Sequence, residues 1–226
     1  MCLSPEVDVV AAVAISVIAV DALRHSHDRR TLPLALLPAL FAAHTFTEAF
    51  IWWGADGTVP SNVASVATWL YMLVAFVILP VYVPAAVLLL EPRGLRRTLL
   101  LVLTAAGAIS GGLFLVGMLD GRATAMVCDR YVDYSIQGTP SAAGILYILA
   151  TCGALLLSGE RPLVLWGIVN VFAIAAINVW SAEGLPSIWC LWAAVTSGFV
   201  AWYLRHLDAA HARGEPWPWQ RARTVT

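Results

Sequence analysis

Residues 33–53 read PLALLPALFAAHTFTEAFIWW, a run whose only ionisable side chains are His44 and Glu48. At about 1.5 Å of rise per residue, some 20 helical residues cross the roughly 30 Å of bilayer hydrocarbon. This run therefore has the length and composition of a transmembrane helix. Extending the same criterion in both directions gives six more apolar runs, at 7–24, 64–90, 97–119, 141–158, 162–181 and 186–206. The run 64–90 holds Pro80 and Pro84, which predicts a kinked or tilted helix rather than a straight one.

The rest of the composition agrees. Hydrophobic residues make up 60% of the 226 and charged residues 12%, against about a quarter charged in a soluble domain. Mean hydropathy is +0.80. One core of this size cannot bury so much apolar surface, and lipid is its natural solvent. A net charge of −1 points away from nucleic acid. All 13 basic residues are arginine, so a retinal Schiff base, which needs a lysine amine, cannot form. Cys2, Cys128, Cys152 and Cys190 show no CxxC spacing, which excludes a zinc knuckle or a redox dithiol. The first polar segment carries Glu6 and Asp8 and lacks a basic n-region, so no cleaved signal peptide is expected.

Arginines in short loops stay on the cytoplasmic side. With the N-terminus outside, Arg24, Arg29, Arg30, Arg93, Arg96, Arg97, Arg161, Arg205, Arg213, Arg221 and Arg223 fall inside, and only Arg122 and Arg130 outside. The expected architecture is an all-α bundle of seven transmembrane helices, N-terminus out and C-terminus in. Residues 1–208 form the bundle and 209–226 a cytoplasmic or interfacial tail. Within that tail Trp217, Pro218 and Trp219 suit either the headgroup interface or a solvated segment. Gly107, Gly111 and Gly112 permit close helix contact, within the chain or between copies.

This topology turns sequence position into depth. His44 sits near mid-membrane and Glu48 one turn nearer the exterior; at i and i+4 they share a face. An ionisable group there costs several kcal/mol unless it points inward to a partner, which makes the pair a functional candidate. Thr45 and Thr47 can satisfy themselves on the helix backbone. The outer half also receives Cys2, Glu6 and Asp8 at the start of the first helix. Trp52, Trp69, Tyr71, Tyr147, Asn178, Trp180, Ser187, Trp189 and Cys190 come from later helices. Closed around one axis, these give an outward-facing cavity with aromatic walls. Trp52, Trp69, Tyr71, Tyr147, Asn178 and Trp189 are its candidate substrate-lining residues. Each has a plainer role: tryptophans near helix ends form interfacial belts, and Asn170 and Asn178 can make interhelical hydrogen bonds. Buried cysteines such as Cys152 pack as small apolar residues. Cys2, if Met1 is removed, presents an amine beside a thiol and can chelate a metal; otherwise it is an ordinary thiol, or one paired with Cys128 or Cys190. Glu91, beside Arg93, Arg96 and Arg97, reads as a surface ion pair.

Several stretches together resemble an uncharacterised bacterial family of small seven-helix membrane proteins that begin Met-Cys-Phe-Ser. They are the opening Met-Cys-Leu-Ser-Pro, HTFTEAFIWWG at 44–54, PVYVPAAVLLLEP at 80–92, the region of Tyr134, and SIWCLWAAVTS at 187–197. Leu3 stands where that family usually has phenylalanine, and CDRYVDY replaces a His-Ile-x-Tyr-like stretch. The resemblance supports the topology, implies a multi-pass protein of the bacterial inner membrane, and singles out Cys2, His44, Glu48, Glu91, Trp189 and Cys190. It brings no activity with it.

Three functions compete. In a membrane-embedded metal-dependent enzyme, Cys2, His44, Glu48 and Cys190 would hold a transition metal ion (zinc, copper or iron), His44 and Glu48 would do the chemistry, and the substrate would be small and apolar or lipid-like. The poverty of histidines within the helices sets it apart from the zinc hydrolases of the ceramidase type. A proton-coupled transporter or channel would titrate His44 and Glu48, but needs polar residues continuing to the inner side, where Asp21 and Glu91 are the only carboxylates. A non-catalytic partner subunit would dock to another membrane protein. The metal enzyme is the preferred expectation.

Overall fold

The computed structural model describes residues 4–128, 131–180 and 185–223, apart from the side chains of Trp180, Pro186 and residues 221–223. The chain is all-α in character, 78% helical. Helix α1 (Pro5–Arg24) starts at Ser4, whose hydroxyl accepts from the Val7 N–H, with Pro5 in the first turn. Glu6 and Asp8 lie in that turn, where the helix dipole favours negative charge. A short turn leads into α2 (Leu32–Ala55), and the two pack along their length.

Helix α3 (Ser61–Met72), a π-helical segment (Leu73–Ile78) and α4 (Leu79–Leu90) form one continuous run. The distortion expected from the prolines is this π segment. Pro80 has no N–H to offer the preceding turn, and the Leu79 N–H bonds the Val74 carbonyl five residues back. Helix α5 (Leu95–Leu119) lies directly on the distortion. A Cβ at Gly111 would stand 2.8 Å from the Val77 carbonyl oxygen, and one at Gly107 would collide with the carbonyl of Pro80. These glycines thus serve contact within the chain, whereas Gly112 faces open space.

Between α5 and α6 (Ser141–Leu157) the chain forms a β-hairpin. Strands β1 (Ala123–Val127) and β2 (Val132–Ile136) pair antiparallel, with Ala125 opposite Tyr134. Val132 and Tyr134 point inward and are buried. Helices α7 (Arg161–Trp180), α8 (Leu185–Thr196) and α9 (Gly198–Ala212) follow, α8 and α9 separated at Ser197, and the tail ends in a 3-10 turn (Pro218–Arg223).

Among the described residues five helices are long and apolar enough to cross a bilayer: Leu32–Ala55, Ser61–Leu90, Leu95–Leu119, Arg161–Val179 and Ser187–Ala212. Helix α1 carries Glu6, Asp8, Asp21 and Arg24, and α6 has only 17 residues. The bundle's outer surface is nevertheless apolar along α1 too, with Val10, Val13 and Val17 exposed beside Leu101, Val116, Phe172 and Val179 of other helices.

Two apolar clusters fill the interior. The larger gathers Leu34, Leu37, Val87, Leu90, Leu163, Trp166 and Leu204; the smaller gathers Ile51, Tyr71, Met72, Val132, Tyr134 and Cys190 beneath the hairpin. At the end of the larger cluster the arginine-bearing turns meet. Arg205 pairs with Asp21 at 2.7 Å, and His27 faces Asp208 at 3.6 Å. Trp217 is buried and stacks on Trp219, which Arg30 covers at 5.4 Å, so the tail folds back onto the bundle. Glu91 is not the surface ion pair its neighbours suggested. It is buried, and its carboxylate accepts from the Ser158 hydroxyl and the Gly159 N–H. Arg97 instead donates to the carbonyls of Leu88 and Glu91.

Candidate functional site

On α2, His44 and Glu48 share a buried face, each 2% exposed. Thr47, on the other side, donates to the Ala43 carbonyl at 2.8 Å. The Glu48 carboxylate is gripped from two separate elements: Ser187 at the start of α8 donates to Oε1 at 2.7 Å, and the Tyr134 hydroxyl on β2 donates to the same oxygen at 3.1 Å. Neither contact is local in sequence, so the acidic group ties the hairpin, α2 and α8 together.

An aromatic column runs beside it. The His44 ring stacks on Tyr71 with centroids 3.8 Å apart, and Tyr71 stacks on Tyr134 at 4.2 Å. Tyr71 stands just before the π segment and is fully buried. Both ring nitrogens of His44 are buried without a hydrogen-bond partner among the described residues.

From α1, Asp8 enters the same region fully buried and within electrostatic range of Glu48. Its side chain approaches the indole N–H of Trp52, and among the described residues neither the carboxylate oxygens of Asp8 nor Nε1 of Trp52 closes a hydrogen bond. Buried polar atoms without partners cost about 1–3 kcal/mol each, which makes this grouping expensive to bury. Among the described residues no three His, Cys, Asp or Glu side chains converge closely enough to form a metal cluster.

Cys190 lies beside Glu48 and Tyr71 and faces deeper into the bundle. There a cavity of about 30 Å³ is walled by Phe41, Tyr147, Cys152, Trp166, Asn170 and Trp189. A second, of about 110 Å³, lies between Phe76, Phe114, Ile148, Ile174, Trp189 and Cys190. Tyr147, Trp189 and Cys190 line both, and Tyr147 meets Trp189 edge to face at 5.2 Å. Asn170 bonds its own helix, donating to the Trp166 carbonyl at 2.8 Å, rather than a neighbouring one.

The sequence-derived candidates thus divide. His44, Glu48, Tyr71, Tyr147, Trp189 and Cys190 are brought together, with Trp52 at the Asp8 end. Trp69 and Asn178 are exposed on the bundle surface and line neither cavity. Cys2 lies outside the described residues. Cys128, Cys152 and Cys190 carry free thiols. Sequence reasoning placed Asp8 and Ser187 in the outer polar half without naming them as site residues, and met Tyr134 only within a stretch of the family resemblance. The alternation of Val132, Tyr134 and Ile136 was the available signal for a strand with an inward tyrosine.

The sequence pattern of a family of unknown function (DUF6629) matches residues 1–214. The chain belongs to that family. The match takes in every residue of the site just described, so the site belongs to the family's domain and not to an appended segment. No curated protein and no solved structure matches the chain.

Proposed function

We propose that this member of the family is a metal-dependent enzyme of the bacterial inner membrane. In this reading all seven apolar runs cross the bilayer, with the N-terminus outside and the C-terminus inside, and the site lies in the extracytoplasmic half. The seven-span reading is supported by the gathering of Arg30, Arg97 and Arg205 at one end of the bundle, the end that positively charged loops assign to the cytoplasm. Helix α6 at 17 residues spans about 26 Å and is accommodated by local thinning of the bilayer.

The observation that carries the reading is one-sidedness. Asp8, His44, Glu48, Tyr134 and Ser187 form a polar group at one end, adjoining apolar cavities, while the other half of the bundle is packed by Leu34, Leu37, Leu90, Leu163 and Leu204. A conduction path needs polar groups through both halves. A buried polar group at one end, adjoining apolar cavities, suits chemistry on a small apolar or lipid-like molecule. Glu48 would be among the groups that hold the metal, which would supply activation of water or polarisation of the substrate, and His44 and Glu48 would handle the proton.

The test compares lipid extracts of cells producing wild-type protein or the Glu48→Gln variant, by untargeted mass spectrometry. A lipid species converted only by wild type is the expected result, and identical lipid profiles overturn the reading. The transporter alternative predicts proton flux in vesicles that disappears in Glu48→Gln.

A further inference from the structure

We propose that the cavity between Phe76, Phe114, Ile148, Ile174, Trp189 and Cys190 is a binding site for the methyl end of a linear hydrocarbon chain, entered sideways from the bilayer. The inference deepens the substrate side of the reading above and rests on it for what the chain belongs to, whereas the binding itself needs neither a metal nor turnover.

The cavity encloses about 110 Å³. That is room for more than one water, yet water stays only where it finds two to four polar partners. Among the described residues no polar surface shows in this wall. An apolar void left dry forfeits dispersion contacts on every side. An apolar guest restores those contacts and buries its own surface as well. Volume limits the guest: an apolar cavity of about 150 Å³ accepts a molecule the size of benzene, and this smaller one suits a short alkyl segment rather than a whole lipid.

The surroundings supply such a guest. On α6, Gly144 and Ile148 line the cavity one turn apart, and Ile148 also reaches the outer face of the bundle, 36% exposed. Ile145 and Leu149 share that outer face and are exposed. In a bundle lying in a bilayer such a face meets acyl chains, not water. At Gly144 the helix carries no side chain, and a Cβ built there would meet nothing within 4 Å, so α6 leaves space open at this point. Inward the space ends at Tyr147, Trp189 and Cys190, which also line the deeper cavity. Cys190 packs in one cluster with Tyr71 and Tyr134, and Tyr134 donates to Glu48. The chain end therefore comes to rest against a wall that packs on the tyrosines of the polar group.

The test uses palmitic acid carrying a diazirine at its methyl end, photolysed with full-length protein purified in digitonin, a detergent without a linear chain. Crosslinked residues are mapped by mass spectrometry. Labelling of Phe114, Ile148, Ile174 or Cys190 should saturate with probe and be suppressed by excess unmodified palmitic acid. Gly144→Leu, which fills the space, should cut this labelling about 10-fold or more, while Gly112→Leu, in open space on α5, should leave it unchanged. Thermal unfolding shows whether each variant is folded, and if Gly144→Leu is not, the wild-type competition decides alone. Labelling that never saturates and stays on exposed residues such as Ile145 and Leu149 overturns the site, as does cavity labelling undiminished in folded Gly144→Leu. Glu48→Gln should label as wild type does. Saturable labelling with unchanged lipid profiles keeps the site and removes the enzyme; lipid conversion without cavity labelling does the reverse.

Discussion

Changing Tyr134 to phenylalanine removes one hydroxyl and leaves the rest of the site in place. The ring keeps its stack on Tyr71 at 4.2 Å, an arrangement worth about 0.5–1.5 kcal/mol beyond area burial. What disappears is the 3.1 Å hydrogen bond to Glu48. Bonds to charged acceptors contribute about 1.5–3 kcal/mol and neutral ones about 0.5–1.5, while polar contacts between membrane helices average only about 0.6. Since the Ser187 bond at 2.7 Å remains on the same oxygen, we expect a loss of about 1–2 kcal/mol. Tyr134→Ala forfeits the stack and the buried ring as well and should cost about 3–5 kcal/mol. The assay is reversible unfolding in mixed micelles, run as a double-mutant cycle with Glu48→Met, a substitution of similar length that removes the acceptor. A coupling of about 1 kcal/mol or more is expected. Coupling near zero, or a Tyr134→Phe variant as damaged as Tyr134→Ala, would refute the claim that the hairpin is held through Glu48.

Two further predictions concern the frame around the site. Gly107→Ala should destabilise by about 1–3 kcal/mol or more, because its new methyl meets the Pro80 carbonyl and backbone must move. Gly112→Ala, with open space around it, should be neutral or slightly stabilising in the same unfolding assay. Glu91→Ala should cost about 1–3 kcal/mol by leaving the Gly159 N–H without its acceptor; Glu91→Gln, which keeps an acceptor oxygen, should recover part of that, and equal losses in both would contradict the contact.

The helices were legible because a membrane imposes a length and a composition that few other constraints mimic. Each apolar run is helical over its described residues apart from Ser158 and Ser197, and the prolines of 64–90 mark a real distortion. Its π form was not legible, since a missing N–H shows where a helix must adapt and not how. The hairpin was missed for a different reason: five-residue strands carry too short an alternation to stand out beside the charges of their turn. Glu91 shows the limit of reading charge by adjacency. Three arginines follow it in sequence, yet its partners lie 67 and 68 residues away on the α6–α7 connection.

Asp8 raises the same difficulty at the other end of the bundle. Near the start of a helix an acidic residue ordinarily stabilises the dipole from solvent, and the sequence gives no reason to bury it. Burial comes from packing: α2 runs along α1, Trp52 approaches from the last turns of α2, and the hairpin places Tyr134 on the neighbouring Glu48. A carboxyl group that stabilises its helix wherever it stands gains nothing by leaving water. Its burial within electrostatic range of a second carboxylate is therefore a cost to the folded state. That cost is the physical reason for assigning this end of the bundle, and not its apolar middle, to function.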